Sequence, residues 1–100
     1  MSLSTHVLDT TRGEPARGVP VRLERDGTPV AEGVTDDDGR LRLDLAEPGR
    51  HRLVFDISAY LGPGAFFPEV TVAFQVTTPD QHLHVPLLLS PYGYTTYRGS

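Results

Sequence analysis

The sequence predicts an all-β protein, an antiparallel β-sandwich of seven to eight short strands with at most one short helix. Three observations predict it. Apolar residues recur at period two along most of the chain, as in Val19-Val21-Leu23, Leu41-Leu43-Leu45 and Val70-Val72-Phe74-Val76. Turn signals punctuate these runs at Asp26-Gly27, Asp36-Asp37-Asp38-Gly39, Pro48-Gly49 and Thr78-Pro79-Asp80. Only Ser58-Ala59-Tyr60-Leu61 leaves room for a helical turn.

Taken in order, Thr5-His6-Val7-Leu8-Asp9 reads as a first short strand. Residues 10–18 hold Gly13, Pro15 and Gly18 and read as a loop. Val19 to Glu24 alternates with Val19, Val21 and Leu23 inward, and Asp26-Gly27 turns the chain into a strand from Val30 to Thr35. After the acidic turn, Leu41, Leu43 and Leu45 alternate with Arg42 and Asp44. Leu53, Phe55 and Ile57 then line one face of the next strand. Gly62, Pro63, Gly64 and Pro68 break the pattern before Val70 to Val76 resumes it. In the strand from His82, Leu83, Val85, Leu87 and Leu89 face the core, while His82, His84, Pro86 and Leu88 face outward. That outer set is partly apolar, which points to a covering partner subunit. Pro86 fits best where no ladder hydrogen bond is needed.

One hundred residues make one domain, 1–100, with no linker or repeat. An apolar fraction of 38% and a net charge of −4 fit a soluble globular chain and not a disordered one. No apolar run is long enough to span a membrane, and the first residues lack the basic and apolar regions of a signal peptide. The absence of cysteine excludes disulfides, a thiolate nucleophile and zinc–thiolate sites, and is compatible with the cytoplasm. All nine basic residues are arginine and lie scattered among acids, so there is no basic stripe for nucleic acid.

His6, His84, Arg40 and the tail Tyr97-Arg98-Gly99-Ser100 are the residues with chemistry to offer. Two imidazoles facing one groove suit proton transfer near neutral pH. Residue type alone gives His51 and His82 the same claim, and two surface histidines on strands is the plain alternative. The Arg40 guanidinium is a planar fork suited to oxyanions or carbonyl edges, although a solvated arginine after Asp38-Gly39 is ordinary. His82-Leu83-His84 has metal-ligand spacing but no matching third ligand. Asp36-Asp37-Asp38-Gly39 lacks the full acidic pattern of a calcium loop and reads as a solvated turn. There is no Gly-x-Ser-x-Gly elbow and no phosphate-cradling glycine loop. The last nineteen residues, from His82, are the densest run: an apolar strand followed by aromatic, hydroxyl and guanidinium groups. Such an end is expected to dock at a site rather than fray.

Several segments together resemble the 5-hydroxyisourate hydrolases of urate breakdown, within the transthyretin-related family. They are Ser4-Thr5-His6-Val7-Leu8-Asp9, Asp38-Gly39-Arg40, Phe66-Phe67-Pro68-Glu69-Val70, His84-Val85-Pro86-Leu87-Leu88-Leu89-Ser90-Pro91 and Tyr92 to Ser100. The matches run in order over nearly the whole chain, and the terminal Tyr-Arg-Gly-Ser is the most specific. The resemblance implies a transthyretin-like sandwich assembled as a homotetramer, with active sites in a channel where subunits meet. It implies a small-molecule substrate, no metal and no cofactor. It places catalytic roles on His6, Arg40, His84 and Ser100, and substrate contact on His6, Arg40 and Tyr97. The Ser100 α-carboxylate is a further group able to orient an imidazole or pair with an arginine. The implied reaction opens the six-membered ring of 5-hydroxyisourate to 2-oxo-4-hydroxy-4-carboxy-5-ureidoimidazoline. Residues 57–67 look shorter than the family's usual stretch and lack its Gly-Asp before Tyr60. Leu83 stands where tyrosine is frequent and Thr95 where serine is.

Two rivals share the fold. A transthyretin-type carrier of a small aromatic ligand would need neither the Tyr97–Ser100 end nor both histidines. A structural sandwich module would account for residues 35–49, but such modules are normally parts of longer exported chains.

Overall fold

The computed structural model describes residues 2–78, 80 and 82–100. Ten strand segments and one helical turn follow in order: β1 Ser2–Asp9, β2 Glu14–Pro15, β3 Pro20–Arg25, β4 Thr28–Val34, β5 Arg40–Asp44 and β6 Gly49–Asp56; then α1 Ser58–Leu61, β7 Glu69–Val76, β8 His82–His84, β9 Leu87–Ser90 and β10 Gly93–Thr96. The expected seven to eight strands become ten segments for three local reasons. The loop at 10–18 pairs briefly as β2, the last long strand divides at Val85-Pro86, and the tail pairs as β10. The expected turn at Thr78-Pro79-Asp80 includes Pro79, which lies outside the described residues.

Two sheets face each other. One is four-stranded in the order β4-β3-β6-β7, with every pairing antiparallel. The other is six-stranded and centred on β1. The first half of β1 lies between β5 and β8, and its second half between β2 and β9. The ladders of β1 with β8 and β9 are parallel, unlike the rest. The chain crosses over from β7 in the other sheet, so β8 enters alongside β1 in the same direction.

Alternation fills the space between the sheets. Leu3, Val7, Val19, Val21, Leu23, Leu53, Phe55, Ile57, Val70, Leu87 and Leu89 are each at most 1% exposed. Burying such side chains is the main favourable term in folding, about 1.5–3 kcal/mol each before entropy is charged. Leu41, Val72 and Phe74, on the same inward parity, are only partly buried, because β5 and β7 lie at the open edges of the sandwich. Asp26-Gly27 turns β3 into β4 with both residues at positive φ, 52° and 79°, the geometry a two-residue hairpin demands. The single helical turn docks on β1, where the Tyr60 hydroxyl donates to the Asp9 carboxylate at 2.7 Å. Asp9 also accepts the backbone N–H groups of Thr11 and Arg12, both at 3.0 Å, which satisfies a carboxylate that is 3% exposed.

The break at Val85-Pro86 is also accounted for. Pro86 has no N–H to give a ladder, and its carbonyl instead accepts the Thr96 hydroxyl at 2.8 Å. Val85 is tied to β1 from both sides: its N–H donates to the Ser4 carbonyl at 2.9 Å, and its carbonyl accepts the Thr5 hydroxyl at 2.6 Å.

Candidate active site

Period two sends Ser2, Ser4, His6 and Leu8 of β1 to the outer face of the six-stranded sheet, opposite the core residues Leu3 and Val7. The register then decides what stands beside them. His6 faces Arg40 across the β1–β5 ladder. Ser4 faces Arg42 on one side and His84 on the other, and Ser2 faces Asp44 and His82. Successive outward residues on β1 are about 7 Å apart, so His6, Arg40 and His84 share one patch. The sheet thus brings together residues 6, 40 and 84, which are remote in sequence.

Both imidazoles and the Arg40 backbone are held by neighbours. A carbonyl oxygen only accepts, so the 2.9 Å contact of His6 Nε2 with the Asp38 carbonyl makes Nε2–H the donor. In the neutral ring, Nδ1 of His6 therefore keeps its lone pair. Asp38 belongs to the acidic turn that reads as merely solvated in the sequence. Its geometry comes from Asp36, whose Oδ1 accepts the N–H groups of Asp38 and Arg40, both at 2.9 Å. Gly39 in this turn has φ 75°, and a Cβ there would overlap the Val7 carbonyl oxygen. Its own carbonyl accepts the Val7 N–H at 2.8 Å. The acidic turn thus sets both His6 and the base of Arg40.

His84 is enclosed on two sides. The Ser4 hydroxyl lies 2.8 Å from its Nδ1. The tail returns over it as a β-bridge, with the Gly99 N–H donating to the His84 carbonyl at 2.8 Å. Burial pushes the His84 pKa below the ordinary imidazole value. The positive charges of Arg40, His6 and His82 push the same way, and the Ser4 backbone carbonyl opposes them.

His82 and His84 do not converge on a shared point as their spacing allows. The Ser4 hydroxyl stands between them, 3.1 Å from His82 Nε2. His82 Nδ1 lies 2.6 Å from the Ser2 hydroxyl, which also accepts Arg42 at 3.0 Å. His51 belongs elsewhere, 2% exposed inside the sandwich and stacked on Phe74. Tyr97 and Ser100 are exposed on the tail that Gly99 anchors to β8.

Two hollows adjoin the patch. One of about 400 Å³ is lined by Ser4, Arg40 and Arg42 among others, and one of about 320 Å³ lies under the tail beside His84, Tyr97 and Arg98. Larger hollows of about 750 and 640 Å³ lie outside the four-stranded sheet and at the β4–β5 end, and neither contains His6, Arg40 or His84. Of these four hollows, only the smaller pair is lined by Arg40 or His84.

Sequence reading missed Ser2, Ser4, Asp36, Asp38 and Arg42 as contributors. The signal was present in the alternation Ser2-x-Ser4-x-His6 and His82-x-His84, which puts these side chains on the outer face. Only the parallel pairing of β1 with β8 shows that they meet.

Known proteins resemble this chain in sequence and in fold. A profile described as the HIUase/Transthyretin family matches residues 3–99. A 5-hydroxyisourate hydrolase from Caulobacter vibrioides is 46% identical, aligned over 98% of this chain and 97% of its own. The structure of Klebsiella pneumoniae 5-hydroxyisourate hydrolase superposes with a TM-score of 0.89 at 37% identity, covering 100% of both chains. A sea bream transthyretin in complex with thyroxine superposes at 0.80 with 33% identity, covering 97% of this chain and 93% of that one. By sequence and by fold, this chain belongs to the HIUase/transthyretin family.

Proposed function

We propose that this chain is a hydrolase that opens the six-membered ring of 5-hydroxyisourate to give 2-oxo-4-hydroxy-4-carboxy-5-ureidoimidazoline. One observation carries the reading: His6, Arg40 and His84 share one outward patch of the β1 sheet, and the Tyr97–Ser100 tail is bridged onto His84. The same activity is named in relatives at 46% and 37% identity.

The residues divide the work as follows. His6 Nδ1, freed by the Nε2–H bond to Asp38, takes a proton from water as the water oxygen attacks the ring carbonyl. The carbon–nitrogen bond of the ring breaks, and the proton held by His6 passes to the departing nitrogen. The balance is one water added across one C–N bond, giving a carboxylate after ionisation. Arg40, beside His6, grips the oxygen-rich planar ring and offsets its negative charge. Tyr97 contacts the substrate, and the Ser100 hydroxyl hydrogen-bonds substrate or the attacking water.

The site works in a homotetramer, at surfaces where subunits meet. Supporting this, Leu8 and Leu88 pair side by side on the outer face of the sheet, half-buried in the single chain. Tyr94 and Tyr97 are exposed near the same edge at 43% and 57%. Among the described residues no helix is long and apolar enough to cross a membrane. A cytoplasmic location is part of the proposed reading, and the lack of cysteine is compatible with it.

The rival reading is a carrier of small aromatic ligands, as the thyroxine complex of the sea bream relative illustrates. Carriage alone gives no reason for two hydrogen-bonded imidazoles beside an arginine. The test is the decay of 5-hydroxyisourate, generated from urate by urate oxidase and followed by ultraviolet absorbance. Acceleration by the protein, lost in His6→Ala, supports the hydrolase. Tight binding of an aromatic ligand without acceleration supports the carrier.

A further inference from the structure

The side chains beside His84 form a continuous hydrogen-bonded line: Arg42, Ser2, His82, Ser4, His84. The contacts are Arg42 Nη2 to Ser2 Oγ at 3.0 Å, Ser2 Oγ to His82 Nδ1 at 2.6 Å, His82 Nε2 to Ser4 Oγ at 3.1 Å, and Ser4 Oγ to His84 Nδ1 at 2.8 Å. Both serines come from β1, both histidines from β8 and the arginine from β5, and the register places them in one row.

The line has a direction. Each hydroxyl carries one proton, and each neutral imidazole carries one N–H. The Arg42 guanidinium can only donate, so Ser2 accepts from it. If the Ser2 proton goes to His82 Nδ1, then His82 donates from Nε2–H to Ser4, and Ser4 donates to His84 Nδ1. Every contact is then satisfied, and the proton of His84 must sit on Nε2. The reverse order would make Ser2 accept from both Arg42 and His82. Its own proton would then have no partner among the described residues, although Ser2 is only 8% exposed. Arg42 therefore fixes the sense from Ser2 through His82 to Ser4; carried on to His84, bonds arranged donor-to-acceptor in one sense strengthen one another.

We propose that Ser2, His82 and Ser4 are positioning residues that, polarised by Arg42, hold His84 as its Nε2–H tautomer, a donor to the oxygen or nitrogen that gains charge during ring opening. This rests on the hydrolase reading above and completes it. His6 is anchored through Nε2 and presents a lone pair at Nδ1, whereas His84 is anchored through Nδ1 and presents a proton at Nε2. The two imidazoles are complementary rather than interchangeable. A neutral, preorganised donor serves best where water is excluded, and the low His84 pKa keeps the ring neutral. The charged groups facing this row are Arg40, Arg42 and Asp44 from β5, His6 from β1 and His82 from β8, while the tail brings the uncharged Gly99 against the His84 ring.

The test is the imidazole ¹⁵N spectrum of the folded protein near pH 8, with steady-state kinetics on the same samples, for wild type, Ser4→Ala and Ser4→Thr. His84 in the wild type is expected as the Nε2–H tautomer. Ser4→Ala is expected to mix the tautomers and to lower kcat about tenfold with KM little changed. Ser4→Thr keeps the hydroxyl and is expected to restore both. A wild-type His84 carrying its proton on Nδ1 would overturn the relay, as would a Ser4→Ala protein with unaltered tautomer and kcat. If the wild type fails to hydrolyse 5-hydroxyisourate yet shows the Nε2–H tautomer, lost in Ser4→Ala, the relay stands and the hydrolase reading falls.

Discussion

Gly99 closes on the imidazole of His84. Its N–H donates to the His84 carbonyl at 2.8 Å, and a Cβ built on Gly99 would lie 2.5 Å from the ring Cδ2 and 3.2 Å from Cγ. The tail approaches this closely only because the residue has no side chain.

Gly99→Ala should therefore displace either the tail or the ring. The added methyl meets a ring held by Ser4 on its far edge, so the tail is the part that moves. Turnover is expected to fall by about 10-fold or more, as misplacement of a positioned group costs. The melting temperature should change little, since residue 99 lies outside the core. Steady-state kinetics with a thermal melt would show this; full activity would mean that the tail does not hold His84 for catalysis.

His6 depends on a turn that is remote from it in sequence. His6→Ala removes the proposed base and should lower turnover by about 100-fold or more with folding retained. Asp36→Ala keeps the His6 imidazole but removes the acceptor for the Asp38 and Arg40 N–H groups, loosening the turn that anchors it. An intermediate loss is expected, with KM raised because Arg40 sits at the end of that turn. An Asp36→Ala enzyme with wild-type KM and kcat would show that the acidic turn only caps a loop.

The sign of the His84 shift gives a titration to measure. Burial disfavours the charged ring, and Arg40, His6 and His82 add repulsion, so the ring protonates only below the ordinary imidazole range. On acidification by NMR, the His84 midpoint should lie below that of histidine in an unstructured peptide. Arg40→Gln deletes one repelling charge, so the midpoint should move upward. A wild-type midpoint at or above the peptide value would contradict the enclosed, cation-ringed environment.

Much of this was legible in the chain because period two is a strong signal. The outward parity of His84 and Leu88, the inward parity of Leu83, Val85, Leu87 and Leu89, and the Asp26-Gly27 hairpin all follow from local chemistry. Pairing between remote strands was not legible. Nothing in Ser2-Leu3-Ser4 announces that it lies parallel to His82-Leu83-His84, because a ladder is chosen by the crossover between the sheets and by core packing. The serine–histidine row depends wholly on that ladder. The acidic turn was underestimated for a related reason: its exposed carboxylates look solvated, while its contact with His6 is made by a backbone carbonyl that carries no sequence signature.

The outer face offers a test of assembly. Leu8 and Leu88 are direct neighbours across the β1–β9 ladder, and Thr95 of β10 stands opposite Leu88. A single sheet face does not cover its own apolar side chains, so a partner surface is the natural cover. Leu88→Glu places a charge in that patch without touching the core, and the fold of the single chain should survive. If the homotetramer is built on this face, sedimentation should show smaller species. Activity should fall with them, because the site would lose the walls that exclude water. A tetramer that persists with full turnover would move the interface elsewhere, whereas a dissociated but fully active protein would show that each chain carries a complete site.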